Sequence, residues 1–388
     1  MAGGGRGRGG GGWSFLPAEL IEEISDRLQA DVDQIHIHQV CSHWRASTAP
    51  LAACRPWIVA AHDQRHRNAV NPDCDHSFSF WLPRGGKRMH SRALAPAGLP
   101  YCCGTPRGWL ALTDDLRSPT RLILWEPLSQ AEIPLPPLPS IVQLFLTGDP
   151  LASPSPAGWM AIASQKNPGW QIGHTLFWRP GDAAWTIRLD YPIGRIEGAA
   201  FHQGRLYIST RLSMKLSIFD LQQHPLKRLR LIPLFTPLRT RYPRRLPGDP
   251  VPHVVACNNQ LLLVMVYRGQ GRPGPVILVE VHHPDWAAER LDFGGEKVTD
   301  LGDYSLFLGR GDSLALSAKE FPAIRRNYVY FVEHDTGKHD QWVIVFDLGS
   351  NAIERIPHPQ EHMEGGSKNS GWLGYSWFCP RRPFVEVV

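Results

Sequence analysis

A pair of short apolar runs, the second often ending on an aromatic residue, recurs along this chain and leaves few folds open to it. Gly108-Trp109-Leu110-Ala111-Leu112 precedes Leu122-Ile123-Leu124-Trp125, and Gly158-Trp159-Met160-Ala161-Ile162 precedes Thr175-Leu176-Phe177-Trp178. Looser copies pair Gly204 to Ile208 with Leu216 to Asp220, Gln260 to Val266 with Val276 to Val281, and Tyr328 to Val332 with Val343 to Asp347. Each run is short, rich in β-branched and aromatic residues, and bounded by Gly, Pro, Asn or Asp, which is the signature of a strand. A hydrophilic turn and a third strand ending in proline follow in several units: Ser129 to Pro134, Lys227 to Pro233 and Asn351 to Pro357. The sense within a unit is therefore a meander.

Units whose strands are apolar on both faces must stack against copies of themselves, and a radial stack leaves only short, protected edges. The spacing of roughly 40 to 65 residues brackets that of known propeller blades, with the excess placed in loops. The expected fold class is mainly β, a C-terminal propeller-like repeat domain preceded by a small three-helix module. About five similar units exceed what one β-sandwich uses, which favours the propeller over a pair of sandwiches. The 35 prolines and 36 glycines, spread along the whole chain, fit many short elements better than long helices.

The helical module is read from residues 13–55. Pro17 suits a first turn, and Glu19, Glu22 and Glu23 favour the positive end of a helix dipole. Leu16, Leu20, Ile21, Ile24 and Leu28 recur at helical steps and form one stripe. Val32, Ile35 and Ile37, then Val40, Cys41 and Trp44, suggest two further short helices ending near Pro50. So few residues cannot enclose a large core, and the stripe needs a cover. Before this module, residues 1–12 form a Gly/Arg tail with almost nothing to bury, read as a flexible spacer. After it, residues 56–100 read as a connecting segment and residues 101–388 as the propeller domain.

Two strings carry a family resemblance. Trp13-Ser14-Phe15-Leu16-Pro17-Ala18-Glu19-Leu20-Ile21-Glu22-Glu23-Ile24, closed by Val40-Cys41-Ser42-His43-Trp44-Arg45, resembles an F-box. The Leu-Pro-x-Glu-Leu opening and the Val-Cys-x-x-Trp-Arg close are specific as a pair. Leu301 to Gly309, Ser317-Ala318, Phe321-Pro322, Asn327-Tyr328-Val329-Tyr330-Phe331 and Trp377-Phe378-x-Pro380 resemble the plant domain-of-unknown-function 295 family, taken to be a kelch-like propeller. The resemblance implies a non-catalytic, substrate-recognition subunit of a Skp–cullin–F-box ubiquitin ligase. Its partners would be a Skp-type adaptor, cullin through that adaptor, and an unidentified protein target.

On that resemblance the adaptor-binding set is Leu16, Pro17, Leu20, Ile21, Ile24, Leu28, Val32, Val40, Cys41 and Trp44, with Val40 and Trp44 equally open to a role in the module's own core. Arg239, Arg241, Arg244 and Arg245, among Pro243 and Pro247, form a loop that either faces an acidic partner or is simply solvated. Two other functions stay open: a ligand-binding or enzymatic propeller capped by the helices, and an F-box protein acting outside a ligase.

Other chemistry finds little support. The net charge of +5 is small and scattered, which disfavours nucleic acid, and the short tail carries only Arg6 and Arg8. No apolar run of membrane-spanning length and no apolar leader is present, so an intracellular location is expected, cytoplasmic or nuclear. Seven irregularly spaced cysteines suggest reduced thiols, with Cys102 and Cys103 as buried small residues. His36-x-His38 and His282-His283 lack ligand geometry, and phosphate-loop and Gly-x-Ser-x-Gly patterns are absent. No cofactor or metal is expected.

Overall fold

The computed structural model describes residues 13–28, 31–48, 56–62, 78–81 and 88–90, and residues 96–379 apart from 100, 128, 152–157, 167–172, 188–195, 211–214, 224–225, 235–249, 270–275, 289–290, 292–296, 310–312, 322–323, 335–340 and 358–371. The expected tail over 1–12 and the cluster of Arg239, Arg241, Arg244 and Arg245 lie outside the described residues.

Three helices, α1 (Ala18–Arg27), α2 (Asp31–Val40) and α3 (Ser42–Ala46), are followed by strands in six sheets. Sheet I holds β1 (Trp57–His62), β2 (Phe78–Trp81) and β3 (Arg88–His90). Sheet II holds β4 (Tyr101–Gly104), β5 (Leu110–Thr113), β6 (Leu122–Glu126) and β7 (Ala131–Leu135). Sheet III holds β8 (Ile141–Leu146), β9 (Ala161–Lys166), β10 (Gly173–Trp178) and β11 (Thr186–Ile187). Sheet IV holds β12 (Ile196–His202), β13 (Arg205–Thr210), β14 (Lys215–Asp220) and β15 (Lys227–Pro233). Sheet V holds β16 (Val251–Cys257), β17 (Gln260–Arg268) and β18 (Val276–His282). Sheet VI holds β19 (Tyr304–Leu308), β20 (Leu314–Ser317), β21 (Tyr328–His334), β22 (Gln341–Asp347) and β23 (Ile353–Pro357). The last strand, β24 (Trp372–Phe378), returns to sheet I and pairs antiparallel with β1.

The sheets form a ring because their inner strands are apolar on both faces. In β6 every residue is buried; Leu122 and Leu124 enter the core shared by sheets II and III, where they meet Leu144, Trp159 and Trp178. Phe145, Ile162 and Phe177 of sheet III then face Ile196, Leu206 and Phe219 of sheet IV. Equivalent cores join IV to V and V to VI, and Ile58 and Trp377 of sheet I pack with Phe307, Leu314 and Val343 of sheet VI. Contacts of β1 with β4 complete the circle. The proline-bearing strands β7, β15 and β23 are the outermost of their sheets, the position in a sheet that best tolerates a missing N–H. Cys102 and Cys103 lie inside sheet II, and burial pushes the Cys102 thiol up to about 12.

Two expectations change. The connecting segment placed at 56–100 supplies β1, β2 and β3 to sheet I; its partner strand lies some three hundred residues away, so no local repeat reveals it. Sheet VI is not a plain meander either, since β19 runs parallel to β21 and β20 folds back on the other side of β19.

Near the axis the strands of neighbouring sheets touch backbone to backbone. A Cβ on Gly104 would stand 2.7 Å from the Leu144 carbonyl oxygen, and one on Gly309 would stand 2.5 Å from Ser376 Oγ. Arg107, in the turn between β4 and β5, holds a φ of 48° and stands 5.0 Å from the Phe201 ring of sheet IV. A contact between sheets II and IV that bypasses sheet III is possible only near the axis. Gly104→Ala is expected to cost about 1–3 kcal/mol, because the obstacle is a backbone carbonyl that cannot rotate away. Urea unfolding of the full chain measures it, and an unchanged midpoint would mean that the sheets can separate freely there.

Candidate docking face on the helical module

The module encloses a small core of its own. Ile21, Ile37 and Trp44 are buried together, and Leu16, Ile24, Leu28 and Cys41 pack half-buried around them. Pro17, with φ −55° and ψ 146°, caps α1, and its carbonyl receives the amides of Leu20 and Ile21 at 3.1 and 3.2 Å. Glu19 sits in the first turn and Arg27 in the last, each at the end of the helix dipole that favours its charge.

The two halves of the sequence motif hold each other in place. Trp44 Nε1 donates to the Trp13 carbonyl at 2.8 Å, and His43 Nε2 lies 2.8 Å from the Leu16 carbonyl. Cys41 Sγ accepts from the Trp44 amide at 3.5 Å and caps α3, while Arg45 Nε donates to the His38 carbonyl at 3.0 Å. The first turn is thus pinned by α3, with its aromatic side chains turned outward.

What this scaffold presents is apolar. Trp13 is 73% exposed, Phe15 84%, Leu20 45% and Val40 52%. Among the described residues, the other exposed large apolar side chains are Val142, Leu151 and Leu229, each on a different sheet or loop of the ring. Four such side chains exposed within one small module make it a candidate binding surface.

The candidate residues therefore divide. Leu20 and Val40 are open and Pro17 is exposed, Leu16, Ile24, Leu28 and Cys41 are partly so, and Ile21 and Trp44 belong to the interior. The side chain of Val32 lies outside what is described. Trp13, Phe15 and His43 were not among the candidates. The available signal was a pair of aromatic residues just before Leu-Pro, on a stretch too short to show helical periodicity.

The ring carries two further polar features. Glu280, 3% exposed, receives the Tyr267 hydroxyl at 3.0 Å and the Lys297 ammonium, with His282 Nε2 at 3.5 Å. Burial pushes this carboxyl up, but hydrogen bonds from His282 and Lys297, the Lys297 charge and the Tyr267 hydroxyl outweigh it and hold the carboxyl below its ordinary value. Burial and the Glu280 charge push the Tyr267 hydroxyl up in turn. At the junction of sheets V and VI lies an open cavity of about 640 Å³, lined by Thr299, Asp300, Arg325, Arg326, Tyr328 and Asp347 among others. Asn327, with φ 63°, organises its floor: Oδ1 accepts from the Leu301 amide at 2.9 Å and Nδ2 donates to the Thr299 carbonyl at 3.0 Å. Among the described residues no three His, Cys, Asp or Glu side chains converge as a metal site would require, and no helix is long and apolar enough to cross a membrane.

The depressed Glu280 carboxyl has a consequence for acid stability. A group that ionises more easily when folded stabilises the fold above its unfolded pKa, about 4.3 for glutamate, and that contribution fades as pH falls through the folded value. Between about pH 5 and pH 3 the unfolding free energy of the wild type should therefore fall more steeply than that of Glu280→Gln, as urea titrations at each pH would record. Parallel slopes would show that the carboxylate gains nothing from its partners.

Residues 77–347 match the family model described as KIB1-4 beta-propeller. A 127-residue stretch is 28% identical to F-box protein SKIP23 of Arabidopsis thaliana, covering 32% of this chain and 29% of that relative's length. Among solved structures, TolB from Acinetobacter baumannii overlaps 78% of this chain and 64% of its own, at 10% identity and a TM-score of 0.41. A putative 6-phosphogluconolactonase from Bacteroides uniformis overlaps 84% and 85%, at 10% identity and a TM-score of 0.40. Both likenesses are too loose to inform on function. The family match spans well over half of the sequence, including strands of all six sheets, and the chain belongs to the KIB1-4 beta-propeller family.

Proposed function

We propose that this protein is the substrate-recognition subunit of a Skp–cullin–F-box ubiquitin ligase: its helical module docks a Skp-type adaptor, its propeller holds a protein target, and the ubiquitin chemistry belongs to other subunits. The observation that carries this reading is that Trp13, Phe15, Leu20 and Val40 stay exposed on a module that already has its own core. A cap that existed only to shield the ring would spend its apolar side chains inward. Support also comes from the paired Leu-Pro-x-Glu-Leu and Val-Cys-x-x-Trp-Arg strings and from the similarity to an F-box protein. In this reading Trp44 and Ile21 shape the docking surface from within, and Phe15 and Leu20 touch the adaptor. Co-purification of the full chain with a recombinant Skp-type adaptor tests it, with Phe15 and Leu20 as the discriminating positions.

A further inference from the structure

We propose that residues 297–301 act as a strap whose seating, and with it one wall of the cavity between sheets V and VI, is set by the charge on Lys297. The strap lies along the edge of β18. Lys297 forms an antiparallel bridge with His282, and the Val298 amide donates to the Val281 carbonyl at 2.8 Å. Sheet V has three strands where the others have four or five, so among the described residues this strap is what borders its outer edge. Two residues beyond Lys297, Thr299 and Asp300 line the cavity.

The strap's two ends are held by different physics. At the far end Asn327 grips the Thr299 carbonyl and the Leu301 amide, and Val298 and Leu301 rest on the core between sheets V and VI. Those contacts do not depend on charge. At the near end the Lys297 ammonium, on a side chain 50% exposed, reaches a Glu280 carboxylate whose side chain is 3% exposed.

A carboxylate that deep needs its partners, because a buried charge stripped of one is strongly disfavoured. Without the ammonium it keeps Tyr267 and His282, and the nearest way to water runs where Lys297 lay. Relief then comes by lifting the strap locally, an opening much smaller than loss of the ring. Lys297 is a positioning residue in this account. Its side chain is half exposed, which makes it the point at which a binding partner or a charge-removing modification could reshape the cavity.

The inference does not rest on the ligase reading, so the two fail separately. Amide hydrogen exchange on the full chain tests it. In Lys297→Met the Val298 amide should exchange at least tenfold faster, while the Leu301 amide, held by Asn327, and those of β16 and β17 stay protected; Lys297→Arg should keep wild-type protection. Unchanged exchange at Val298 in Lys297→Met would overturn the inference, as would equal loss of protection throughout sheet V. Should Lys297→Met not fold, the Glu280→Gln/Lys297→Met pair removes the stranded charge. With no charge left to strand, the pair should fold and keep wild-type protection at Val298; faster Val298 exchange in it would mean that the lysine stem and not its charge seats the strap, and would overturn the inference.

Discussion

A chain carrying Phe15→Asp and Leu20→Asp should keep a folded ring and module yet bind a Skp-type adaptor at least about a hundredfold more weakly, a loss of about 2.7 kcal/mol or more. Both side chains are open in the free protein, at 84% and 45% exposure, and surface changes away from caps and buried partners usually alter stability by less than about 0.5 kcal/mol. In a complex the same positions would be covered, and truncating a central apolar anchor typically costs about 2 kcal/mol or more. An aspartate adds the cost of drying a charge with no partner. Ile21→Asp would also stop capture, but by destroying the core around Ile37 and Trp44, so it cannot distinguish docking from folding. Calorimetric titration of the full-length double variant, with far-ultraviolet circular dichroism as the folding control, makes the measurement. Undiminished affinity in a folded double variant would reject the exposed patch as the docking face.

Trp377→Ala should remove about 3–5 kcal/mol of stability, a large share of the 5–15 kcal/mol a domain usually has. Trp377 is 2% exposed on β24 and donates through Nε1 to the Leu308 carbonyl at 2.9 Å. Its ring stands edge-on to Phe307 at 5.1 Å and to Tyr330 at 6.4 Å. The substitution opens a cavity between sheets VI and I and strips a buried carbonyl of its donor, two penalties that add. Urea unfolding should show a midpoint shifted sharply downward, whereas Trp13→Ala, at an open position, should leave it nearly unchanged. Similar midpoints for the two variants would mean that sheet VI holds without the tryptophan.

The parts of this fold legible in the sequence are those set by neighbours along the chain. Strand pairs such as β5 with β6 and β13 with β14 show themselves because two apolar runs and a turn are contiguous. The pairing of β1 with β24 has no such signal: Trp57 to Ala61 reads as an isolated apolar run until the chain's far end is beside it. Parallel pairing of β19 with β21 escapes for a related reason, since a residue pattern of period two does not tell strand direction.

On the helical module, periodicity finds the apolar stripe but cannot separate neighbours within it. Leu20 and Ile21 are one residue apart, and packing sends the second inward and leaves the first in water. Val40 and Trp44 part in the same way. The Glu280 cluster gathers Tyr267, His282 and Lys297 from three segments, and no spacing rule anticipates it. By contrast, the link from Asn327 to Leu301 and Thr299 gives a physical reason for two motif strings, Leu301 to Gly309 and Asn327 to Phe331, that carry one family resemblance.

Joining the first sheet strand to the last fixes an order of events during synthesis. At about 5–20 residues per second, the ribosome needs roughly 20 to 70 seconds to travel from Val40 to Phe378, and for that interval β1 has no β24 to pair with. The helices, whose contacts are all near in sequence, can finish first. A nascent chain would thus complete its helical module before it owns a closed ring, and a message that stops short of Trp372 would yield a product with that module formed but with a raw sheet edge open to aggregation.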